Sequence, residues 1–191
     1  FKECDLIDIV EMKKRINEIR NELGLISILV NNAANDDRHK IDEVTPDYWD
    51  NRMHLNLRHY FFTSQSVYKD MKEMGNGSII NIGSYSWMLP QGGMAGYATA
   101  KSAIMGLTRT LARDLGNHNI RVNCVVPGWI ITERQKKLWL NSKIEKATLE
   151  KQCIKRLLKP DDISKVVLFF ASDQSSGISA QNYVVDGGIM V

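Results

Sequence analysis

The chain has 191 residues, about the size of one domain, and can bury a substantial core without staples. Charged residues make up 25%, the formal charge is +3, and no run approaches the roughly 18 apolar residues a membrane helix requires; composition thus gives no membrane partner and no reason to expect nucleic acid. Three widely separated cysteines, Cys4, Cys124 and Cys153, lack the paired spacing of a zinc site or a disulfide framework and point to a reducing, cytoplasmic setting.

The first residue is Phe1, and neither a basic segment nor an apolar signal core follows it, so the natural chain is expected to start upstream. Ile9, Met12, Ile16, Ile19 and Leu23 recur at three- and four-residue steps, which predicts a helix that Gly24 ends in a left-handed cap. A short apolar strand, Ile28 to Val30, follows. Thr45, Pro46 and Asp47 carry a capping hydroxyl and a first-turn proline, predicting a helix that runs to Gly75-Asn76-Gly77. Ser78 to Ile82 reads as a strand. A helix is predicted over Tyr97 to Leu115, with Gly116 placed to stop it, and Ile120 to Val126 reads as the next strand. The segment after Val126 shows no clear period. Pro160 and Asp161 then open a helix through Ile163, Val166, Val167 and Phe170, and Tyr183 to Val185 closes the series as a strand before Asp186-Gly187-Gly188.

Strands alternating with helices predict right-handed crossovers and a doubly wound, parallel α/β sheet in one domain over 1–191. Ligands of such sheets bind beyond the carboxyl ends of the strands, so the loops starting at Asn31, Gly83, Pro127 and Asp186 are where chemistry is expected.

Tyr97-Ala98-Thr99-Ala100-Lys101 puts a phenol and an ammonium on one helix face. A phenol loses its proton near pH ~10 in isolation, and a neighbouring cation is what would bring it into service at neutral pH; the same spacing also occurs by chance on amphipathic helices. Ser84 lies just past a strand end, where its hydroxyl can hold a substrate oxygen while the phenol exchanges its proton, with Ser86 as its competitor and a plain turn as the other reading. Asn56 falls mid-helix, where asparagine competes for backbone hydrogen bonds; it is either functional or solvent-facing. Asn31-Asn32-Ala33-Ala34 follows a strand directly and offers small residues and amides to a ligand, or simply a turn. The histidines, His39, His54, His59 and His118, show no ligand spacing, so no metal is expected. Cys124, in an apolar strand, is read as packing rather than reactive.

The set Asn31-Asn32-Ala33, Asn56, Ser84, Tyr97, Lys101 and Pro127-Gly128, including the thirteen-residue step from Ser84 to Tyr97, resembles the short-chain dehydrogenase/reductases from end to end of the chain. The resemblance implies an NAD- or NADP-dependent oxidoreductase with a Rossmann-like fold, the nicotinamide doing the hydride chemistry. It implies Tyr97 as acid/base, Ser84 as the residue positioning the substrate oxygen, Lys101 on the nicotinamide ribose and favouring the phenolate, and Asn56 anchoring a water in a proton relay. For the cofactor it implies Asp5 and Leu6 near the adenine, Asn32 and Ala33 on the ribose side, and Ile130 and Thr132 by the carboxamide, together with Tyr97 and Lys101. It further implies a homo-oligomer, tetramer or dimer, with the Thr45 and Tyr97 helices at the subunit contacts. Two departures stand out: Ala34 where the family usually has glycine, and no initial strand, glycine-rich turn and helix, the unit that holds the pyrophosphate and selects between NAD and NADP. Gly92 and Gly96 imitate part of that pattern and are read as loop residues.

Substrate choice is expected from Asn35 to Lys40, Tyr85 to Gly96 and Trp129 to Gln152. The polar run Asn35, Asp36, Asp37, Arg38 and His39 with Trp87, Trp129 and Trp139 suggests a pocket for several hydroxyls and a flat face, as a sugar has; the other reading is a solvated charge cluster. Resemblance within the family points to oxidation of aldoses to lactones, with 3-oxoacyl-carrier-protein reductase as the alternative. Outside the enzymes, an inactive fragment that persists through association is the competing reading.

Overall fold

In a computed structural model, which describes residues 1–190, four strands form one sheet: β1 (Ile28–Asn31), β2 (Gly77–Ile82), β3 (Ile120–Pro127) and β4 (Asn182–Val185). They pair in chain order and all pairs are parallel. Helix α1 (Ile9–Leu23) precedes β1; α2 (Pro46–Met53) and α3 (His59–Met74) connect β1 to β2, α4 (Ala95–Leu115) connects β2 to β3, and α5 (Glu133–Leu138), α6 (Ser142–Lys151) and α7 (Pro160–Ala171) lie between β3 and β4. The fold is the expected doubly wound α/β layer. No helix among the described residues is long and apolar enough to cross a membrane.

The alternation of side chains along a strand sorts the core onto two faces. On one face Ile79, Ile120 and Val122 pack with Val67 and Met71 of α3 and Leu111 and Ala112 of α4. On the other, Ile80, Ile82 and Val125 pack with Phe170 of α7. Every residue of β2 is buried, as a central strand of a covered parallel sheet should be. β1 is an end strand, and its Ile28 and Val30 are 46% and 41% exposed.

Several boundaries differ from expectation for local reasons. Gly24 has positive φ (90°) but an extended ψ of −166°, so it ends α1 without a left-handed helical cap; Gly75, at φ 71° and ψ 10°, is the residue that makes one, at the end of α3. Gly116 stays right-handed and begins a short 3-10 turn, and it is Asn119 at φ 58° that turns the chain into β3. The long helix expected from Thr45 is continuous through residue 74, but a π turn at His54–Arg58 separates α2 from α3. α5 and α6 escaped the periodicity reading because one has six residues and neither buries any. Gly96 lies inside α4, not in a loop.

A buried ion pair ties the outermost helix to the body. Arg20 of α1 donates through Nε to both carboxylate oxygens of Asp70 at 2.8 and 2.9 Å and through its second arm to the Ser66 carbonyl, while Asp70 also accepts from the Ile26 amide at 3.3 Å. Asp70 is 4% exposed, so removing its charge leaves the guanidinium with a poorer partner in a half-buried place. Asp70→Asn is expected to lower the unfolding free energy by about 2 kcal/mol, measured by urea denaturation; a midpoint equal to that of the natural protein would show that α1 is held by apolar contacts alone.

Candidate active site

A cavity of about 780 Å³ opens at the carboxyl ends of the strands. The loops after β1, β2 and β3 all reach it, through Asn32 and Ala34, through Gly83 to Ser86, and through Pro127 to Ile130. The loop after β4 does not line it; instead Asp186 packs beneath Gly128, where a Cβ would come within 2.7 Å of the Asp186 Cα. That close approach is why a glycine follows Pro127.

Tyr97 and Lys101, one helical turn apart on α4, both face the cavity, and Ser84 and Ser86 stand on its rim from the loop after β2. Ser84 Oγ caps the short turn that follows it, accepting from the Ser86 amide at 3.1 Å, and the Ser84 side chain lies close enough to the Tyr97 phenol to lower its proton affinity. Ser86 lines the same cavity, but its own Oγ is buried and has no partner.

The electrostatics depart from the simplest reading of the Tyr-Lys pair. Burial pushes the Tyr97 phenol up to about 12, against which the nearby Ser84 side chain pulls down and the Asp36 carboxylate pushes further up. Burial likewise lowers Lys101 to about 7, with Cys124 acting the other way. Lys101 Nζ is 5.7 Å from the centre of the Tyr97 ring and donates to the Tyr60 hydroxyl at 2.9 Å and the Ile82 carbonyl at 2.7 Å. The ammonium is therefore held for a ligand rather than spent on the phenol. Burial also raises the Cys124 thiol to about 11, in keeping with a packing role.

Asn56 is fully buried within the π turn, so the solvent-facing reading falls. Its side-chain carbonyl accepts from the Asn35 amide at 2.8 Å, which anchors the loop after β1 to the helix. π turns in the middle of helices often mark functional places, and Asn56 sits within this one. Deeper still, Asn31 donates to Asn81 at 2.9 Å, Asn81 donates to Thr108 at 3.0 Å, and Thr63 donates to Asn31 at 2.7 Å. Those four buried polar side chains satisfy one another across β1, β2, α3 and α4, fixing the base of the site.

Asn32, Ile130 and Thr132 line the cavity as expected, and Thr132 also caps α5 through the Gln135 amide at 3.2 Å. Ala33 is not on the wall; its carbonyl lies beside His59, whose burial lowers it to about 4. Ala34 has negative φ, so the glycine usual in the family is not needed there for conformation. Asp5 and Leu6 sit in the turn before α1, away from the cavity, Asp5 accepting from the Ile7 amide. The wall thus offers a ligand the Asn32 amide, the Tyr97 and Thr132 hydroxyls and the buried Lys101 nitrogen, among other polar groups.

The three segments expected to choose substrate do form the roof. Asp36 pairs with Arg134 and accepts from Gln135 Nε2 at 3.2 Å, Gln135 accepts from the Trp129 indole at 2.8 Å, and the Arg38 guanidinium lies 4.6 Å over the Trp139 ring. Asp37, His39 and Trp87 are elsewhere: Asp37 meets Tyr48 and Arg52, His39 packs edge-on to Tyr48, and Trp87 is not on the wall. Gln135 was not singled out by sequence reasoning, since a glutamine in a stretch without period carries no signal.

A lysine lowered to about 7 inside the fold but near 10.5 when unfolded takes up its proton preferentially in the unfolded chain. Stability from this group is therefore lost as pH falls from 10.5 toward 7 and gained as it rises. Lys101→Met is expected to raise unfolding free energy at pH 7 by roughly 3 kcal/mol and to flatten the alkaline gain, measured by thermal denaturation without cofactor; a destabilised variant would show that the ammonium contributes to the resting fold.

A family model described as enoyl-(acyl carrier protein) reductase matches residues 1–190. The chain is 44% identical over 188 residues to the D-xylose 1-dehydrogenase of Caulobacter vibrioides, covering 98% of this chain and 74% of that one. It is 33% identical over 181 residues to the 3-oxoacyl-[acyl-carrier-protein] reductase FabG of Thermotoga maritima, covering 95% and 73%. The crystal structure of a gluconate 5-dehydrogenase from Burkholderia cenocepacia J2315, in complex with NADP and tartrate, superposes with a TM-score of 0.90 at 31% identity over 97% of this chain and 73% of that one. The chain belongs to the short-chain dehydrogenase/reductase family of oxidoreductases.

Proposed function

We propose that this protein oxidises the anomeric hydroxyl of an aldose to the lactone, with NAD or NADP as hydride acceptor. The observation that carries the reading is the meeting of Tyr97, Lys101 and Ser84 in one cavity whose roof is built of carboxylate, guanidinium, amide and indole. The sugar dehydrogenase among the relatives supports the substrate class.

In this reading the Ser84 hydroxyl, with Ser86 beside it, orients the substrate oxygen, and Tyr97 takes the hydroxyl proton during oxidation or returns it during reduction. Bound nicotinamide supplies the hydride acceptor and, when oxidised, a positive charge at the site. Lys101 holds the ribose through its remaining N–H and adds its own charge, which together favour a phenolate that burial alone disfavours. Asn32 takes the cofactor's ribose side with Ala33 behind the wall next to it, Ile130 and Thr132 take the carboxamide, and Asp5 and Leu6, outside the cavity, lie toward the adenine. Asn56 holds the Asn35 amide and so the loop carrying Asp36 and Arg38; it is also the place for a relay water. The free cysteines support a cytoplasmic setting, and Phe61, 42% exposed on α3, supports a helix face used in a homotetramer or dimer.

The alternative reaction, reduction of a 3-oxoacyl thioester, is favoured by the Thermotoga relative and uses the same residues. Turnover of NAD or NADP against a panel of aldoses and 3-oxoacyl thioesters separates them: aldose oxidation is expected, and activity confined to the thioesters would reject the sugar reading. Tyr97→Phe should lower kcat by about 10³-fold with the fold intact. Because oxidation needs the Tyr97 phenol deprotonated and Lys101 charged, the oxidation rate is expected to rise and then fall with pH, while reduction, which needs the phenol protonated, stays level near neutrality.

A further inference from the structure

Lys101 has a second phenol beside it that the acid/base pair does not by itself require. Tyr60 lies at the start of α3, fully buried, its ring packed with Ile104, Cys124 and Val126. Its hydroxyl accepts from Lys101 Nζ at 2.9 Å and donates to the Ile82 carbonyl at 3.0 Å, and Nζ donates to that same carbonyl at 2.7 Å. Nitrogen, phenol oxygen and carbonyl oxygen close a triangle at the end of β2. The ammonium also sits between two rings, 5.2 Å from the centre of Tyr60 and 5.7 Å from that of Tyr97.

An ammonium has three donors and no acceptor. Two are taken by the triangle, and the third is left for the cavity that Lys101 lines. The titratable groups facing Nζ are Tyr60 and His59 from α3, Tyr97 from α4 and Cys124 from β3; none is a carboxylate. That choice has a chemical consequence. A carboxylate in place of the Tyr60 hydroxyl would hold the lysine firmly but cancel its field at Tyr97, whereas a phenol holds it by a dipole and leaves the charge uncompensated.

We propose that Tyr60 is a positioning residue for Lys101, its hydroxyl and the Ile82 carbonyl fixing two N–H bonds so that the third is presented to the cavity beside the Tyr97 phenol. This rests on the reading of Tyr97 and Lys101 given above. Removing the Tyr60 hydroxyl takes away an acceptor that favours the charged amine, so Lys101 should lose its proton at lower pH. With less ammonium present, the Tyr97 phenol should in turn need higher pH to ionise. The pH range of hydroxyl oxidation therefore narrows from both sides.

The test is Tyr60→Phe in the complete protein, with lysine labelled at 13Cε and the Lys101 resonance assigned by its loss in Lys101→Met. The Lys101 midpoint is expected to fall by about one pH unit or more, as loss of a charge-assisted hydrogen bond implies, with kcat about tenfold lower and its pH profile narrowed. A merely structural role would change thermal stability and leave the midpoint and profile width where they were. An unchanged midpoint in folded Tyr60→Phe overturns the proposal. Should that variant not fold, 4-aminophenylalanine in place of Tyr60 keeps the donor to Ile82 and weakens the acceptor, and its midpoint is read in the same way. The titration needs no turnover, so a Tyr97→Phe protein that remains active would defeat the acid/base reading without deciding the Tyr60 result, and the reverse also holds.

Discussion

The site is organised around a lysine drawn almost wholly out of water. Burying an ammonium is costly, and the fold keeps Lys101 at 1% exposure with two hydrogen bonds and two aromatic faces in place of solvent. Everything around it serves that placement. The end of β2 provides the carbonyl, α3 the phenol, and α4 carries the lysine one turn beyond Tyr97. The Asn31, Asn81, Thr108 and Thr63 network locks those same elements together, so the charge sits on rigid parts and not on loops.

Burial acts in opposite senses on the two partners: it discourages the phenolate and it discourages the ammonium. The resting site is thus closer to a neutral pair than to an ion pair. A group that arrives with positive charge and hydroxyls to accept the spare N–H reverses both tendencies at once. Catalytic competence in this reading is acquired with the ligand.

Much of this was legible in the residues alone. The alternation of strands and helices, and the convergence of Asn32, Ser84, Tyr97 and Lys101 at the carboxyl end of the sheet, follow from periodicity and from the rule for parallel sheets. What sequence did not disclose lies in contacts between distant segments. Tyr60 looks like any aromatic on an amphipathic helix, and only the packing of α3 against β2 brings its hydroxyl to Lys101. Asn56 was visible as a misfit, but its burial depends on a π turn that no local pattern announces. The two helices after β3 were hidden because they cover little apolar surface, so they lack the stripe by which helices are recognised. Among the aromatic and charged residues of the expected pocket, Trp129, Trp139, Asp36 and Arg38 reach it while Trp87, Asp37 and His39 turn to other partners, a distinction that depends on the paths of the loops.

The link from Asp36 to Arg134 and Gln135 joins residues 98 and 99 positions apart in the chain. Closing so long a loop has an entropic cost that only an already assembled sheet can offset. The roof over the cavity should therefore be among the last parts to form as the chain folds and the first to come apart under mild denaturant, so that a molecule can keep its core intact while having no chamber to close around a ligand.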